Sequence, residues 1–159
     1  MKTRIFLLVA LFAMISTSTV SAQFYKRKKV AITEVVDKSG NANPSTKDSI
    51  RNMLTDAITN SEGYAGYATI CFLSLEANFD RNGNISEATL AYVKTQTMDY
   101  VLVAEIITQS KTKAQLAARI INTSTGLIVA SSSVEFYTTR IENLRPACNA
   151  LTCKLVGAI

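Results

Sequence analysis

The stretch "DYVLVAEII", residues 99–107, decides the fold because it is apolar at nearly every position. A strand with one side in water alternates apolar and polar residues, whereas a strand covered on both sides is apolar throughout. The stretch therefore predicts a central strand in a sheet that is covered on both faces, as in α/β proteins.

Strand-like segments lie on both sides of this stretch along the chain. Upstream, "KVAITEVVD" (29–37) and "ATICFLSL" (68–75) are rich in β-branched and apolar residues. Downstream, "KAQLAARII" (113–121) alternates between apolar and polar positions, and the turn "NTSTG" leads into "LIVASSSVEFY" (127–137). Five strands are therefore predicted.

Three amphipathic helices are predicted among these strands. The first begins at Ser45, with Asp48 completing a capping box, and the second is capped by Ser86. The last begins near Thr139 and Glu142 or, because an interior proline kinks a helix, at Pro146. Its apolar stripe consists of Ile141, Leu144, Cys148, Leu151 and Leu155.

The elements follow one another as β-α-β-α-β-β-β-α. Strands joined through a helix should be parallel, and strands joined by a short turn antiparallel. We therefore expect one α/β (α+β) domain around a mixed five-stranded sheet. The first strand should be central with the third beside it, the fourth and fifth should follow as a meander, and the helices should pack on the sheet.

The N-terminus has the pattern of a secretory signal peptide. Lys2 and Arg4 precede a short apolar run, and small residues precede a cut before Gln23. The predicted division is therefore a signal peptide at 1–22 and one domain at 23–159. The apolar run is too short to span a bilayer, and no cysteine near the cut encodes a lipid anchor. The predicted location is the periplasm or the outer membrane surface.

Charge is concentrated near the predicted cut. The chain has a net charge of +5, and "KRKK" occupies residues 26–29. We interpret this run as a solvated arm, with binding of an anionic lipid or polymer as the alternative. Nucleic acid is not an expected partner, because no aromatic residues are interleaved with the basic ones.

The three cysteines, Cys71, Cys148 and Cys153, leave at least one thiol unpaired within the chain. Export would permit a disulfide. Cys148 and Cys153, however, are five residues apart on one predicted helix and would point away from each other. Core packing is predicted for Cys71 and Cys148. There is no histidine, so the usual zinc sites lack ligands, and no metal or cofactor site is predicted.

Catalytic and calcium motifs fail on spacing. In "FDRNGNISEA" (79–88), with Asp80 taken as position 1 of a calcium-binding loop, Gly83 falls at position 4, whereas the loop needs its glycine at position 6. Position 12, which should be a glutamate, is Ala91. The S-x-x-K match "SKTK" (110–113) lies in a predicted turn. Without histidine, no Ser-His-Asp triad exists. The remaining catalytic option is a carboxylate cluster, for which the strand residues Glu34, Asp37 and Glu105 are the candidates.

Four segments, "KKVAITEVVDKSGN", "LTDAITNSEGYAGY", "FDRNGNISEATL" and "MDYVLVAEI", together resemble the domain shared by CsgG curli-secretion proteins and LpoB-type activators of penicillin-binding proteins. The likeness covers about residues 28–156 and is closest to short exported members from Bacteroides-like bacteria. Its strongest motif is an aromatic–x–Arg–x–Gly turn, a helix and a Tyr-Val-Leu-Val strand. Here these are Phe79, Arg81, Gly83 and Tyr100 to Val103.

The resemblance implies a non-catalytic envelope domain that holds partner proteins and needs no cofactor. Arg81 and Gly83 are the partner-binding candidates of the motif, and Glu105 is added as a strand-end or partner-facing charge. The turns "QSKTK" and "NTSTG" are too short for membrane-inserting hairpins, so pore formation is not implied. A penicillin-binding protein is implied only as a class of partner.

Three functions follow from these observations. The leading prediction is a non-enzymatic cell-envelope interaction module that supports an outer-membrane or peptidoglycan-synthesis complex. The alternative is a small periplasmic hydrolase or carbohydrate-binding protein that uses carboxylates, which a cluster of Glu34, Asp37 and Glu105 in one pocket would favour. The third is a structural subunit that associates with itself through the fifth strand, "SSSVEFY", if that strand is an edge.

Overall fold

The computed structural model describes residues 28–60, 67–79, 84–108, 112–137 and 141–157; the side chains of 67–72, 75, 76, 108 and 141 are outside that description. The predicted signal peptide therefore lies outside the described residues. The elements are β1 (Lys28–Glu34), β2 (Val36–Asp37), α1 (Pro44–Thr59), β3 (Tyr67–Glu76), α2 (Glu87–Thr95), β4 (Tyr100–Thr108), β5 (Lys113–Asn122), β6 (Ile128–Tyr137), a 3-10 helix (Ile141–Asn143) and α3 (Leu144–Val156).

The predicted sheet is confirmed. Five strands pair in the order β3-β1-β4-β5-β6, and the two-residue strand β2 continues β1 along the edge of β4. Strand β1 is parallel to β3 and β4, whereas β4, β5 and β6 form an antiparallel meander. The first strand thus lies inside the sheet with the predicted third strand beside it.

Strand β4 is covered on both faces, as its apolar run predicts. Leu102, Ala104 and Ile106 belong to a core formed with α1 and α3, on what we call the first face of the sheet. Val101 and Val103 belong to a second core with Val93 of α2, on the second face. Because neighbouring residues of a strand point to opposite faces, one continuous apolar run supplies both cores.

Helix α1 begins two residues earlier than predicted, so the assignment of its start to Ser45 is wrong. Asn43 is the N-cap, and its side-chain Oδ1 accepts a hydrogen bond from the backbone N–H of Thr46 at 2.7 Å. Pro44 takes the first helical position, where its missing N–H is no loss and its fixed φ suits a helix. The pair Asn43–Pro44 therefore begins the helix, and Ser45 lies within its first turn.

Helix α2 begins as predicted. Ser86 is its N-cap and accepts a hydrogen bond from the Thr89 N–H through Oγ at 3.3 Å. The "NTSTG" turn between β5 and β6 is also as predicted, with Gly126 at φ +73°. The positive φ favours glycine at this turn, and a Cβ at Gly126 would lie only 3.0 Å from a methyl group of Leu90 on α2, which would have to shift.

Pro146 lies in the first turn of α3, so it marks the beginning of the helix and does not kink it. The N-cap is Asn143, without a side-chain capping bond. Thr139 lies outside the described residues, and Glu142 is part of the preceding 3-10 helix. The predicted stripe is confirmed where it is described: Leu144, Cys148, Leu151 and Leu155 are buried.

Candidate functional site

A buried carboxylate lies near the middle of the sheet. Glu105 is in β4, two residues after Val103 and on the same second face, and it is only 2% exposed. Lys38 Nζ lies 3.0 Å from one of its oxygens, and Arg119 Nη2 lies 3.4 Å from the other. We call these three side chains the ion-pair cluster.

The two cations of the cluster compensate for the burial of Glu105. An ionised carboxylate out of water is stable only when it is paired. Lys38 comes just after β2 and Arg119 lies on β5, so both strands adjacent to β4 at this level supply a charge. The two cations keep part of their surface in water, with 51% and 29% of their side chains exposed. The cluster therefore joins three strands at the point where the second face changes from apolar to polar.

Of the predicted partner-binding residues, Arg81 and Gly83 lie outside the described residues. Phe79, which opens their motif, pairs with Ile85 in an isolated antiparallel bridge. The guanidinium of Arg119 lies 4.9 Å from the centroid of the Phe79 ring, a cation–π contact. The predicted motif is thus connected to the ion-pair cluster through one described residue.

Glu105 is not at the end of its strand, and its carboxylate faces Lys38 and Arg119 instead of open solvent. Its predicted role in binding a partner stays a prediction. Sequence reasoning missed Lys38 and Arg119. The available signal was the pair of opposite charges, Glu105 in an apolar strand and Arg119 in the strand that a hairpin places beside it.

The three candidate carboxylates do not come together. Asp37 pairs in register with Ile106, whose side chain belongs to the first-face core, whereas Glu105 is on the second face. Glu34 lines a surface pocket of about 270 Å³ with Val35 and four residues of α1, and neither Asp37 nor Glu105 lines it. The α1 residues of this pocket are Pro44, Lys47, Asp48 and Arg51.

Asp37 organises the loop that leads into α1. Its carboxylate accepts hydrogen bonds from the Ser39 N–H at 2.9 Å, from the Ser39 hydroxyl, and from the Ala42 N–H at 2.7 Å. Desolvation by burial acts to raise the pKa of Asp37, but these hydrogen bonds outweigh it and the pKa is lowered from its ordinary value of 3.8. This carboxylate is therefore engaged with its own loop.

Part of the second face is not covered by a helix of the described residues. The second-face core involves β1, β3, β4 and only Ile121 of β5. Beyond it, cross-strand neighbours on β5 and β6 share the face, and each is half-buried or exposed. We call these eight residues the open face: Lys113, Gln115, Ala117, Arg119, Ser131, Ser133, Glu135 and Tyr137.

The open face is polar and its side chains are held in place. Gln115 Nε2 donates a hydrogen bond of 2.7 Å to Ser133 Oγ. The Lys113 ammonium lies 5.5 Å from the centre of the Tyr137 ring. Arg119 belongs both to this face and to the ion-pair cluster. The face therefore presents hydrogen-bond donors and acceptors together with Arg119 and Tyr137, two residue types that are enriched at protein interfaces.

Self-association through the fifth predicted strand required that this strand be an edge. Strand β6 meets this condition, because it is the last strand of the sheet. Its only neighbour among the described strands is β5. Apolar side chains are exposed at both ends of the strand: Leu127 (64%), Ile128 (40%), Val129 (38%) and Tyr137 (55%). An edge of this kind presents unpaired backbone donors and acceptors to solvent.

The two cysteines whose side chains are described are free thiols. Cys148 is buried and Cys153 is exposed, and both are free in this structure. Burial raises the pKa of the Cys148 thiol to about 12, against a small lowering by Arg145. The side chain of Cys71 lies outside the described residues. Among the residues described, no group of three possible metal ligands occurs.

Comparison with known proteins shows a shared fold and no family. No family model matches the chain, and no curated protein matches its sequence. PelC from Paraburkholderia phytofirmans, solved as a dodecamer, aligns with a TM-score of 0.56 at 14% identity over 84% of this chain and 88% of that one. TolB from Acinetobacter baumannii aligns at 0.51 and 15% identity, over 83% of this chain and 28% of that one.

The LpoB C-terminal domain from Salmonella enterica also matches, with a TM-score of 0.49 at 14% identity over 78% of this chain and 90% of that one. A TM-score below 0.5 does not establish a shared family, so the resemblance to the CsgG and LpoB family stays a prediction. In the described part of the chain, no helix is long and apolar enough to cross a membrane.

Proposed function

We propose that this protein is a non-enzymatic interaction module of the cell envelope, and that its open face contacts a protein partner. The observation that carries this proposal is a polar half-sheet that no helix of the described residues covers, beside a strand edge with which no described strand pairs. One face of an antiparallel meander commonly lies in water, so this face is accessible. Its Arg119 and Tyr137 side chains are of residue types enriched where proteins contact their partners.

The shared fold supports a role in assembly. PelC, the solved structure with a TM-score of 0.56, is a dodecamer, so this arrangement of strands and helices is compatible with building a multi-subunit complex. The three carboxylates that a hydrolase would need lie in three separate environments. The hydrolase alternative therefore lacks the pocket on which it depends.

The setting in the envelope rests on the predicted signal peptide at residues 1–22. An exported chain meets its partners in the periplasm or at the outer membrane. The finer proposal, support of an outer-membrane or peptidoglycan-synthesis complex, rests on the sequence resemblance. Arg81 and Gly83 contribute through that resemblance alone.

The structure supports a more indirect role for Glu105. Its carboxylate holds Arg119, and Arg119 belongs to the open face and stacks on Phe79. We therefore assign Glu105 as a positioning residue for the partner surface. This differs from a direct contact, because its own side chain is only 2% exposed.

Site-specific crosslinking tests the proposal. A photo-crosslinking amino acid replaces Ser131, which is exposed on the open face, in the full chain expressed in the cells that normally make it. The matched control carries the same amino acid at Asn52, an exposed position on α1. We expect Ser131 to crosslink an envelope protein that the Asn52 control does not.

Products are identified by mass spectrometry, which separates crosslinks to a second copy of this chain from crosslinks to another protein. The proposal fails if the Ser131 position yields no foreign envelope protein above the level of the Asn52 control.

A further inference from the structure

The free edge of β6 has a regular section and a bent end. Ile120 pairs with Ala130, but the next residue, Ile121, pairs with Ile128, so Val129 is an extra residue in the ladder. Such a bulge bends the strand and interrupts further pairing. The section that can accept a straight neighbour is therefore Ala130–Tyr137. It contains one charged residue, Glu135, and no proline.

We propose that the regular section of β6 pairs antiparallel with the same section of a second copy of this chain, about a two-fold axis that passes through Ser133. The two sheets would then join into one continuous sheet. This proposal goes beyond the envelope partner proposed above and does not depend on it. The second copy pairs with backbone groups of the strand edge, although its strand would also lie beside the open-face side chains of Ser131, Ser133 and Glu135.

Symmetry leaves few registers for such a pair. Residues opposite each other in an antiparallel pair share a face of the sheet. A two-fold axis must therefore place one residue directly opposite its own copy, and it cannot lie midway between two consecutive residues. An axis at Ser133 pairs every residue from 130 to 136, and one at Val134 pairs every residue from 131 to 137. An axis at Ser132 loses pairs to the bulge at Val129.

Charge separates the two long registers. With the axis at Val134, Glu135 would lie opposite Ser133 of the second copy, and the two Glu135 residues would be diagonal neighbours with Cα atoms about 7–8 Å apart. With the axis at Ser133, Glu135 lies opposite Ser131, and the two Glu135 backbones are about 13 Å apart along the strands. Repulsion between like charges therefore favours the axis at Ser133.

The favoured register also brings opposite charges together. Ser131 pairs with Arg119 on β5, on the same face. Glu135 of one copy would thus face the small Ser131 of the other, with Arg119 one strand further, about 10 Å away between backbones. Serine leaves room for the long Glu135 side chain to extend toward β5 of the second copy. There Arg119 stays paired with Glu105 on β4, so the two charges attract each other across a strand without forming a direct ion pair. This attraction occurs twice, once on each side of the axis.

Side-chain sizes match on the first face. Phe136 is 9% exposed and belongs to the first-face core, and Ala130 and Val134 pack against that core. In the favoured register Phe136 lies opposite Ala130 of the second copy, and Val134 lies opposite Ser132. Each large side chain therefore meets a small one, as continuous packing across the joint requires.

Disulfide trapping tests the register. In an antiparallel pair the Cα atoms of opposite residues are about 4.5–5.5 Å apart, within the range of a disulfide. Under mild oxidation, Ser133→Cys should give a covalent dimer, and both Val134→Cys and Asn52→Cys should give much less. The native cysteines are replaced by alanine in all three variants. A Ser133→Cys yield no higher than that of Asn52→Cys overturns the proposal.

Sedimentation tests the interface without a crosslink. The wild-type chain should show a monomer–dimer equilibrium, and Glu135→Arg should weaken it by about tenfold or more, because the new cation faces Arg119 of the second copy. Glu87→Arg makes the same charge change at an exposed position on α2 and should leave the equilibrium unchanged. A wild-type chain that stays monomeric at all soluble concentrations overturns the proposal.

The two proposals fail separately. A strict monomer that still crosslinks an envelope protein from Ser131 removes the symmetric dimer alone. A dimer that crosslinks only itself removes the envelope partner alone.

Discussion

Glu105 is buried, but it positions Arg119, a residue of the open face. Its carboxylate is buried, and each of its oxygens has a cation within 3.4 Å. Removing one cation leaves the buried carboxylate only partly compensated. Removing the carboxylate together with the cation leaves no buried charge to compensate. The stability of the cluster should therefore depend on its members together.

We expect Arg119→Met to lower the free energy of unfolding by about 1–3 kcal/mol, because Glu105 then keeps only Lys38. The double variant Arg119→Met with Glu105→Leu should lose less than the sum of the two single changes. Urea unfolding followed by circular dichroism measures all three variants. Arg145→Met is the control, since its exposed pair with Asp56 spans 3.7 Å and should matter little. An Arg119→Met effect no larger than the control contradicts the role of the cluster.

Asp37 should make stability depend on pH. Its pKa is lowered in the folded state from the ordinary 3.8, so folding favours the ionised form. That stabilisation is fully present above the unfolded pKa and is lost as the pH falls through 3.8 towards the folded pKa. In Asp37→Asn the fall in unfolding free energy over this acid window should be shallower, as measured by urea titrations at each pH. Asp56→Asn, at an exposed carboxylate, is the matched control, and an equal change in slope in both variants would refute the assignment.

At the scale of elements, capping decides where α1 begins. The first helical turn has N–H groups with no partner in the helix, and Asn43 satisfies one of them. Ser45, two residues later, is already inside the helix. Both residue types are good caps, so residue type alone does not choose between them; the proline between them does.

Asn43→Ala should therefore lower the free energy of unfolding by about 1 kcal/mol, the usual loss for an N-cap. Ser45→Ala should leave stability almost unchanged or raise it slightly, since alanine is the better helix former. Thermal and urea unfolding of the two variants, side by side, check the assignment. The start at Asn43 is wrong if Ser45→Ala is the more destabilising of the two.

At the scale of the whole molecule, the two cores are not independent. Strands β1 and β4 contribute residues to both, because alternate side chains of each strand point to opposite faces. Loss of either core would expose the other through the shared strands. The domain should therefore unfold in one cooperative transition.

Two substitutions on opposite faces test this coupling. Leu54→Ala on α1 removes a fully buried side chain from the first-face core and should cost about 2–5 kcal/mol. Val93→Ala on α2 opens a smaller cavity in the second-face core and should cost less. Each variant should shift the whole unfolding curve with coincident near- and far-ultraviolet circular dichroism. Two separate transitions in either variant would mean that the cores are independent.

The sequence by itself determined the element order, the parallel and antiparallel pairings and the buried stripe of α3. These depend on local periodicity and connection length, which residues near one another in the chain specify.

Only the tertiary structure decided the ion-pair cluster, the separation of Glu34, Asp37 and Glu105, and the open face. These depend on the register of strands far apart in the chain and on how far α2 extends over the second face. Periodicity says which residues share a face of one strand. It does not say which residues of another strand lie beside them, because that alignment is set by packing across the whole sheet.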